Sequence, residues 1–256
     1  MATPQSETFV RSFARGLTVI DVLSQGQGPQ SLGEIARGAG LSRTATRRFL
    51  LTLIELSMVD TDGKDFWLTP RVLGIGLSYL ATLPYWNAAQ LALEELSEQQ
   101  GQSCALSVLD DQSIVYLLRQ HAKRILPMSP SLGSRLPAHA VSMGRVLLAD
   151  LDEGDLDNYL ATADLRQLTS KTVTDPERLR EELADVGASG YSWTDSEYDE
   201  SISGLAVPVR GLNGSVLAAI NISLPSGDFT PEAAIEHFLP PLQLAASRIR
   251  ASLPDR

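Results

Sequence analysis

The chain has 256 residues, of which 43% are apolar, and it carries a formal net charge of −10. This composition supports packed hydrophobic cores and excludes wholesale disorder. The one cysteine, Cys104, can form neither an internal disulfide nor a cysteine-based zinc site. No apolar run is long enough to span a membrane, and the first residues lack the apolar segment of a signal peptide. We therefore expect a cytoplasmic protein without a membrane partner.

Charge is distributed unevenly along the chain. Residues 1–80 carry 8 Lys and Arg against 7 Asp and Glu, whereas residues 81–256 carry 13 against 24. An acidic surface repels DNA, but a near-neutral segment with clustered arginines can still bind it locally. We therefore expect two domains with different partners.

Helical signals come first along the chain. Apolar residues at helical spacing predict a helix over residues 12–25. Ser31 and Glu34 form the S-x-x-E pattern of a capping box, so a second helix is predicted to begin there and to end at Gly40. Ser42 is the N-cap candidate of a third helix.

The third helix carries a basic, polar face. Its first turns are rich in arginine and threonine, while apolar residues such as Phe49 and Leu53 share the opposite face. A helix of this kind fits the DNA major groove, where arginine binds guanine edges and phosphates. The alternative is a solvated arginine face on an ordinary helical bundle. The candidate DNA-binding residues of this segment are Ser42, Arg43, Thr44, Arg47 and Arg48.

A β-hairpin is predicted directly after the third helix. Residues 58–60 and 66–69 have the pattern of short strands on either side of an Asp-Gly turn. Three helices followed by a hairpin indicate a winged helix-turn-helix. Lys64, near the tip, is the candidate for contact with the DNA backbone. Because Asp62 and Asp65 flank it, we expect the wing to bind weakly.

A helical linker is predicted next. Apolar spacing after Pro70 indicates a helix that the Leu83-Pro84 pair interrupts, and a further helix follows over residues 86–100. The predicted divisions are a DNA-binding domain over 1–70, a helical linker over 71–84 and a larger domain over 85–256.

Strand and helix patterns alternate in the remainder of the chain. Paired strands are predicted at 104–109 with 113–118 and at 204–209 with 216–224, and helices at 143–151, 176–186 and 231–253. We expect Ser142 to cap the first of these helices and the Pro240-Pro241 pair to break the last. Antiparallel strands surrounded by helices predict an α+β domain.

Catalytic signatures are absent from the sequence. It contains no G-x-S-x-G elbow, Walker loop or dinucleotide fingerprint, and its three histidines share no metal-ligand spacing. The acidic run from Asp195 to Glu200 lacks the ligand order of a calcium loop and is typical of a solvated loop. We therefore expect no cofactor and no metal. An enzyme acting on a small acid is the competing class.

Two features predict a pocket for an organic acid. Asn221 and Ser223, two residues apart in an apolar strand, point to one side and need polar partners, either neighbouring backbone or a ligand. The helix start near Ser142 offers backbone N–H groups to a carboxylate, with ordinary helix capping as the alternative role. Apolar walls suited to an aromatic acid are expected from Ile125, Met128 and Leu136.

Six segments carry a family pattern. The N-terminal ones are L-x-E-I-A-x-x-x-G-L-S-R, R-R-F-L-L-T-L and L-T-P-R-V-L-G-I-G; the later ones are GSRLPAHAVSMGRVLLADL, GYSWTDSEYDESISGLAVPVRG and SVLAAINISLP. Together they resemble the IclR-type bacterial transcription regulators over residues 10–250. The R-R-F-L-L-T-L run is similar to the aromatic-catabolism branch, which regulates protocatechuate and 4-hydroxybenzoate breakdown.

The resemblance implies a fold and a set of site residues. The implied fold is a winged helix-turn-helix joined by a helical linker to a GAF-like α+β effector-binding domain. Gly204 stands where some relatives have cysteine and Asn221 where they have serine, so the pocket is reshaped. By position, with Asp195 at or beside an acidic family position, the effector-binding residues are Ile125, Met128, Leu136, Ser142, Met143, Asp195, Ile202, Gly204, Asn221 and Ser223.

We therefore expect a DNA-binding transcriptional regulator rather than an enzyme. The implied partners are double-stranded operator DNA, a second or further copy of the chain in a homodimer or tetramer, and a small effector. The effector is expected to be an aromatic or dicarboxylic acid such as protocatechuate. The alternative is a carboxylate-binding module, or an enzyme on a small acid, with no specific operator.

Overall fold

The computed structural model describes residues 8–26, 28–122 and 131–254. It divides the chain into two compact units, the first ending at Thr82 and the second beginning at Leu83. No helix within the three described ranges is long and apolar enough to cross a membrane.

The first unit begins with three helices. These are α1 (Arg11–Gln25), α2 (Leu32–Gly38) and α3 (Arg43–Glu55). The predicted capping box is present, because Ser31 Oγ accepts a hydrogen bond from Glu34 N at 3.4 Å and the Glu34 carboxylate accepts one from Ser31 N at 2.8 Å. The apolar core of this unit contains Val19, Leu23, Ile35, Leu50, Leu53 and Val59.

A small sheet completes the winged helix-turn-helix. The two-residue strand β1 (Gln30–Ser31) and strand β2 (Val59–Thr61) pair antiparallel with opposite edges of β3 (Asp65–Leu68). Gly63 in the turn between β2 and β3 has a φ of 94°, a conformation that glycine adopts without strain. The predicted three-helix and hairpin arrangement is confirmed.

The segment after the wing is helical, as expected. A short 3₁₀ turn at Pro70–Val72 leads into α4 (Leu73–Thr82), and α5 (Trp86–Gln100) follows. Gly101 ends α5 in the left-handed conformation, as a glycine C-cap does. The structure groups α4 with the first unit. Four large apolar side chains of α4 are exposed: Leu73, Ile75, Leu77 and Tyr79.

A six-stranded sheet forms the centre of the second unit. Its strands are β4 (Ser103–Asp110), β5 (Ser113–Gln120), β6 (Arg135–Pro137), β7 (Ser192–Asp195), β8 (Ile202–Arg210) and β9 (Val216–Pro225). They lie in the order β6-β5-β4-β9-β8-β7, and each neighbouring pair is antiparallel. The predicted α+β class is confirmed.

Helices cover both faces of this sheet. The remaining ones are α6 (Ser142–Leu148), α7 (Glu153–Thr162), α8 (Pro176–Ser189) and α9 (Pro231–Ala251). α6, α7 and α8 share a core with Ala206 and Ala219 of the sheet. Leu205 and Ile220, their neighbours in β8 and β9, point to the opposite face and are fully buried too. α5 and α9 contact each other and strands β4 and β8.

Two predictions about helix ends and breaks are wrong. Ser142 is the first residue of α6 rather than its N-cap; Val141 takes that position without a side-chain cap. α9 continues through Pro240 and Pro241 instead of breaking there. Phe238, just before the prolines, is buried in the core, so tertiary packing holds the helix together where local propensity alone would end it.

Candidate functional site

The predicted DNA-binding residues occupy the exposed side of α3 and the wing. Ser42 Oγ accepts a hydrogen bond from Ala45 N at 3.2 Å and so caps α3, as expected. Thr46, Leu50 and Leu53 on the opposite side are buried, which turns the polar residues outward. All six predicted residues are exposed: Ser42, Arg43, Thr44, Arg47, Arg48 and Lys64.

The tip of the wing carries more negative than positive charge. The Asp62 carboxylate accepts hydrogen bonds from the backbone N–H groups of Asp65 at 2.8 Å and Lys64 at 2.9 Å. These bonds lower the pKa of Asp62, so the carboxylate stays ionised at neutral pH. Lys64 is thus a cation between the acidic residues Asp62 and Asp65, as the sequence indicated.

The second unit contains a cavity between the start of α6 and the six-stranded sheet. Its volume is about 50 Å³, enough for a few water molecules. Apolar and aromatic side chains form part of the wall, and hydroxyl, amide and charged groups form the rest. The lining consists of Tyr116, Arg119, Leu136, Ala140, Val141, Ser142, Met143, Thr194, Glu197, Tyr198, Ile202, Ser203, Gly204, Asn221 and Ser223.

Seven of the ten predicted effector-binding residues meet in this lining. They are Leu136, Ser142, Met143, Ile202, Gly204, Asn221 and Ser223. Ile125 and Met128 lie outside the described residues and stay predictions. Asp195 is not part of the lining, but its neighbours Thr194 and Glu197 are.

Strand pairing explains why these residues meet. Ala105 of β4 pairs with Arg119 of β5 on one side and with Asn221 of β9 on the other. Gly204 of β8 pairs with Ser223 of β9. Residues that pair directly across strands point to the same face of a sheet. Arg119 of β5, Gly204 of β8 and the polar pair Asn221 and Ser223 of β9 therefore face α6 together.

Gly204 permits a close approach of α6 to the sheet. A Cβ atom placed on Gly204 would lie 2.7 Å from Ser142 Oγ, which is closer than side chains normally approach. The Ser142 hydroxyl therefore lies against β8 in the cavity wall. This position explains why it does not cap α6.

Two buried polar atoms of the lining have no hydrogen-bond partner in the described part of the chain: Asn221 Oδ1 and Arg119 Nε. Asn221 is 5% exposed, and its Nδ2 donates to Ser223 Oγ at 3.2 Å. Burial lowers the pKa of Arg119, yet a guanidinium stays protonated in proteins. No ion pair joins Arg119 to a carboxylate within the described ranges.

A buried ion-pair network stands beside the cavity. Arg145 contacts the Glu197 carboxylate at 2.5 Å and the Glu182 carboxylate at 2.7 Å, and its Nε donates to the carbonyl of His139 at 3.0 Å. Burial raises the pKa of Glu197, although Arg145 opposes the shift. The negative charge of Glu197 is therefore compensated by Arg145, so no carboxylate of the described lining remains to pair with Arg119.

Asp195 belongs to a polar cluster that shares Ser203 with the cavity lining. Its carboxylate accepts hydrogen bonds from Lys171 Nζ at 2.5 Å, Ser203 Oγ at 2.6 Å and Ser226 Oγ at 2.9 Å. Burial opposes ionisation of Asp195, but these bonds outweigh it and lower the pKa well below its usual range. The carboxylate is thus fully engaged at the end of β7.

Arg119, Thr194 and Glu197 line the cavity but were not predicted from the sequence. A usable signal existed for Arg119, because a charged residue within an apolar strand needs a partner that the neighbouring sequence does not supply. In the described part of the chain, no three His, Cys, Asp or Glu side chains lie close enough together to hold a metal ion.

Two family models match the chain. The model described as "IclR helix-turn-helix domain" matches residues 12–63. The model described as "Bacterial transcriptional regulator IclR C-terminal" matches residues 77–251, which is more than half of the chain. The two matches follow each other in the order of the two structural units.

Individual proteins are similar over most of the chain. The "Pca regulon regulatory protein" of Pseudomonas putida is 38% identical over 241 residues, which are 94% of this chain and 82% of that protein. A crystal structure of a Rhodococcus sp. RHA1 protein has a TM-score of 0.84 and 40% identity, and the match covers 96% of this chain and 98% of that one.

A ligand-bound structure is also similar to the second unit. It is a double mutant of the inducer-binding domain of the PobR transcription factor from Acinetobacter in complex with 3-hydroxybenzoic acid. Its TM-score is 0.61 at 32% identity, and the match covers 66% of this chain and 97% of that one. The functions named for these relatives are in transcription regulation and not in catalysis. The chain belongs to the IclR family of bacterial transcriptional regulators.

Proposed function

We propose that this regulator binds operator DNA through α3 and that a small aromatic carboxylic acid in the cavity controls that binding. Membership of the IclR family supports the first part. The observation that carries the second part is Arg119, a half-buried cation in a partly apolar cavity whose buried Nε has no hydrogen-bond partner and which has no carboxylate partner among the described residues.

An aromatic acid matches both kinds of wall in the cavity. Its ring packs against apolar side chains such as Leu136, Met143 and Ile202, and its carboxylate neutralises Arg119. The complex of the PobR domain with 3-hydroxybenzoic acid favours the same ligand class. Protocatechuate is our candidate within that class.

The size of the cavity suggests how such an acid acts. A volume of about 50 Å³ is small beside the several hundred Å³ of typical ligand pockets, so an aromatic acid must displace part of the lining. The acid then binds a widened state better than the state described here. Because a ligand shifts an equilibrium only through such a difference in affinity, this gives the acid a means of control.

DNA contact is assigned to the exposed residues of α3 and the wing. Arginine and threonine at the start of α3 suit base edges and phosphates in the major groove, and the wing lysine suits the backbone. The proposed contact residues are Ser42, Arg43, Thr44, Arg47, Arg48 and Lys64.

We further propose that the regulator acts in the cytoplasm as a homodimer. The exposed side chains of α4 form an apolar surface of the kind found at interfaces. In a two-fold dimer, two α3 helices face the two halves of a pseudo-palindromic operator.

Fluorescence anisotropy with DNA from upstream of the regulator's own gene tests this function. We expect binding that weakens as salt rises, because DNA recognition releases counterions. Protocatechuate is expected to change the affinity, whereas catechol, which lacks the carboxylate, is not. Random DNA serves as the control for specificity.

Each alternative outcome removes a definite part of the proposal. Tight binding that is indifferent to protocatechuate keeps the regulator and discards this effector. Binding no stronger than to random DNA discards the operator and favours a carboxylate-binding module.

A further inference from the structure

Arg119 and Asn221 lie at two ends of one cross-strand row. Both residues pair with Ala105, which stands between them on β4. Their Cα atoms are therefore two strand spacings apart, about 10 Å. Because directly paired residues share a face and both line the cavity, a ligand there meets a cation at one end and an amide at the other.

Each end of this row has an unmet hydrogen-bonding capacity. Buried polar atoms are normally paired, and leaving one unpaired costs free energy. Asn221 Nδ2 donates to Ser223 Oγ, which leaves Oδ1 without a partner in the described part of the chain. Rotating the amide would exchange its oxygen and nitrogen, but a ligand hydroxyl both donates and accepts and so pairs with either.

The other charged group in the lining does not compete for the carboxylate. Glu197 is an acid held by Arg145 at 2.5 Å, so it repels an anion rather than binding it. Arg119 thus has the only positive charge that the described lining offers to an acid.

We propose that Arg119 and Asn221 set the ligand specificity of the cavity. Arg119 binds the carboxylate of the effector, and Asn221 binds a hydroxyl on the far side of its aromatic ring. The cavity therefore selects hydroxylated aromatic acids over the unsubstituted acid. This inference rests on the proposed function, because it assigns an orientation to the ligand proposed there.

Calorimetric titration of the full chain with benzoate, 4-hydroxybenzoate and 4-hydroxybenzamide tests the Asn221 role. The wild type is expected to bind 4-hydroxybenzoate roughly tenfold tighter than benzoate, because benzoate leaves the amide unpaired. In Asn221→Ala the two acids are expected to bind within about twofold of each other. Alanine leaves the cavity open, so a loss of discrimination does not reflect a blocked site.

The same three ligands test the Arg119 role. Arg119→Met is expected to weaken both acids by a similar factor of about 10 to 100, since a charged hydrogen bond is lost. The uncharged 4-hydroxybenzamide offers Arg119 a carbonyl but no negative charge, so its affinity is expected to fall less in this variant than that of either acid. Arg119→Lys restores part of the acid affinity, because lysine keeps the charge without the planar fork.

Arg135→Met is the matched control for the loss of an arginine. Arg135 lies on the neighbouring strand β6, pairs with Asp110 at 2.5 Å and is exposed outside the lining. Its replacement is expected to leave all three affinities unchanged. Thermal unfolding of each variant confirms that it is folded.

Two results overturn the inference. One is an Asn221→Ala variant that keeps the wild-type preference for 4-hydroxybenzoate. The other is an Arg119→Met variant whose affinity for 4-hydroxybenzamide falls as much as its affinity for the two acids. If these results occur while protocatechuate still changes the affinity for the operator, the orientation is wrong and the proposed function stands. If neither acid binds the wild type, the inference and the proposed effector class fail together.

Discussion

At the scale of single residues, loss of the Arg145 side chain is expected to destabilise the second unit. Arg145 is 3% exposed and compensates the carboxylates of Glu197 and Glu182. Arg145→Met keeps the apolar stem but leaves Glu197 as an unpaired charge at a buried position. Breaking a buried pair in this way typically costs about 3–5 kcal/mol. Urea unfolding at neutral pH measures this loss in the free energy of unfolding.

The cost of Arg145→Met is expected to depend on pH. Burial already raises the pKa of Glu197 above its usual value of 4.5, and removing Arg145 raises it further. A raised pKa in the folded state means that stability is fully present below 4.5 and is lost as pH rises through the folded pKa. The variant should therefore lose less stability near pH 5 than near pH 8, and equal losses would contradict this assignment.

Two further variants separate the buried charge from a general packing defect. Adding Glu197→Gln to Arg145→Met removes the stranded charge and should recover part of the lost stability. Arg180→Met, which breaks the exposed pair with Asp157, should change the free energy of unfolding by less than about 1 kcal/mol.

Site residues were predicted correctly where they lie close together in one element. Asn221 and Ser223 share a face because strands repeat every two residues, and that rule needs no partner strand. Arg119 was not predicted as a lining residue, because its position depends on the pairing of β5 with β4 and of β4 with β9. No local sequence pattern encodes that pairing. In β7 the alternation of side chains decides which residue lines the cavity: Thr194 pairs with Gly204 and faces the cavity, whereas Asp195, the next residue along the strand, is not part of the lining.

At the scale of elements, α3 carries the most specific expectation. Arg47 is exposed on α3, outside the buried side that Thr46, Leu50 and Leu53 form. Arg47→Ala is expected to weaken operator binding by about 1–3 kcal/mol if the side chain reads a base. Affinity for random DNA should then change little, whereas loss of a phosphate contact would weaken both equally and reduce the salt slope by about one.

The control for Arg47→Ala is Arg180, a partly exposed arginine of the second unit. Arg180→Ala removes the same charge far along the sequence from α3 and should leave the anisotropy titration unchanged. An Arg47→Ala variant with wild-type affinity for both operator and random DNA would remove this residue from the reading surface.

The sequence predicted the end of a helix correctly where a local stop signal was not opposed by tertiary packing. Gly101 ended α5 at the predicted residue, because a left-handed glycine halts a helix without help from packing. The Pro240-Pro241 pair failed as a stop in α9, where buried residues such as Phe238 and Leu242 stabilise the helix on both sides. Burial is a property of the folded unit, so the sequence pattern could not supply it.

At the scale of the whole molecule, we expect the exposed apolar side chains of α4 to join two copies of the chain. Of these, Leu73 and Leu77 lie four residues apart on one side of the helix and are 61% and 58% exposed. So much exposed apolar surface on one short helix is typical of an interface. The Leu73→Glu/Leu77→Glu double variant places two carboxylates on that surface and is expected to give monomers in sedimentation equilibrium.

Loss of the dimer should also weaken binding to the full operator. Two linked α3 helices bind two half-sites with a gain from effective concentration, and a monomer loses that gain. The double variant is therefore expected to bind the full operator at least about tenfold more weakly while keeping its affinity for an isolated half-site. Leu212→Glu, at an exposed leucine of the β8–β9 turn, is the control and should leave assembly unchanged. A double variant that stays dimeric would show that another surface joins the copies. Equal losses of affinity for the full operator and the half-site would indicate instead that the first unit is misfolded.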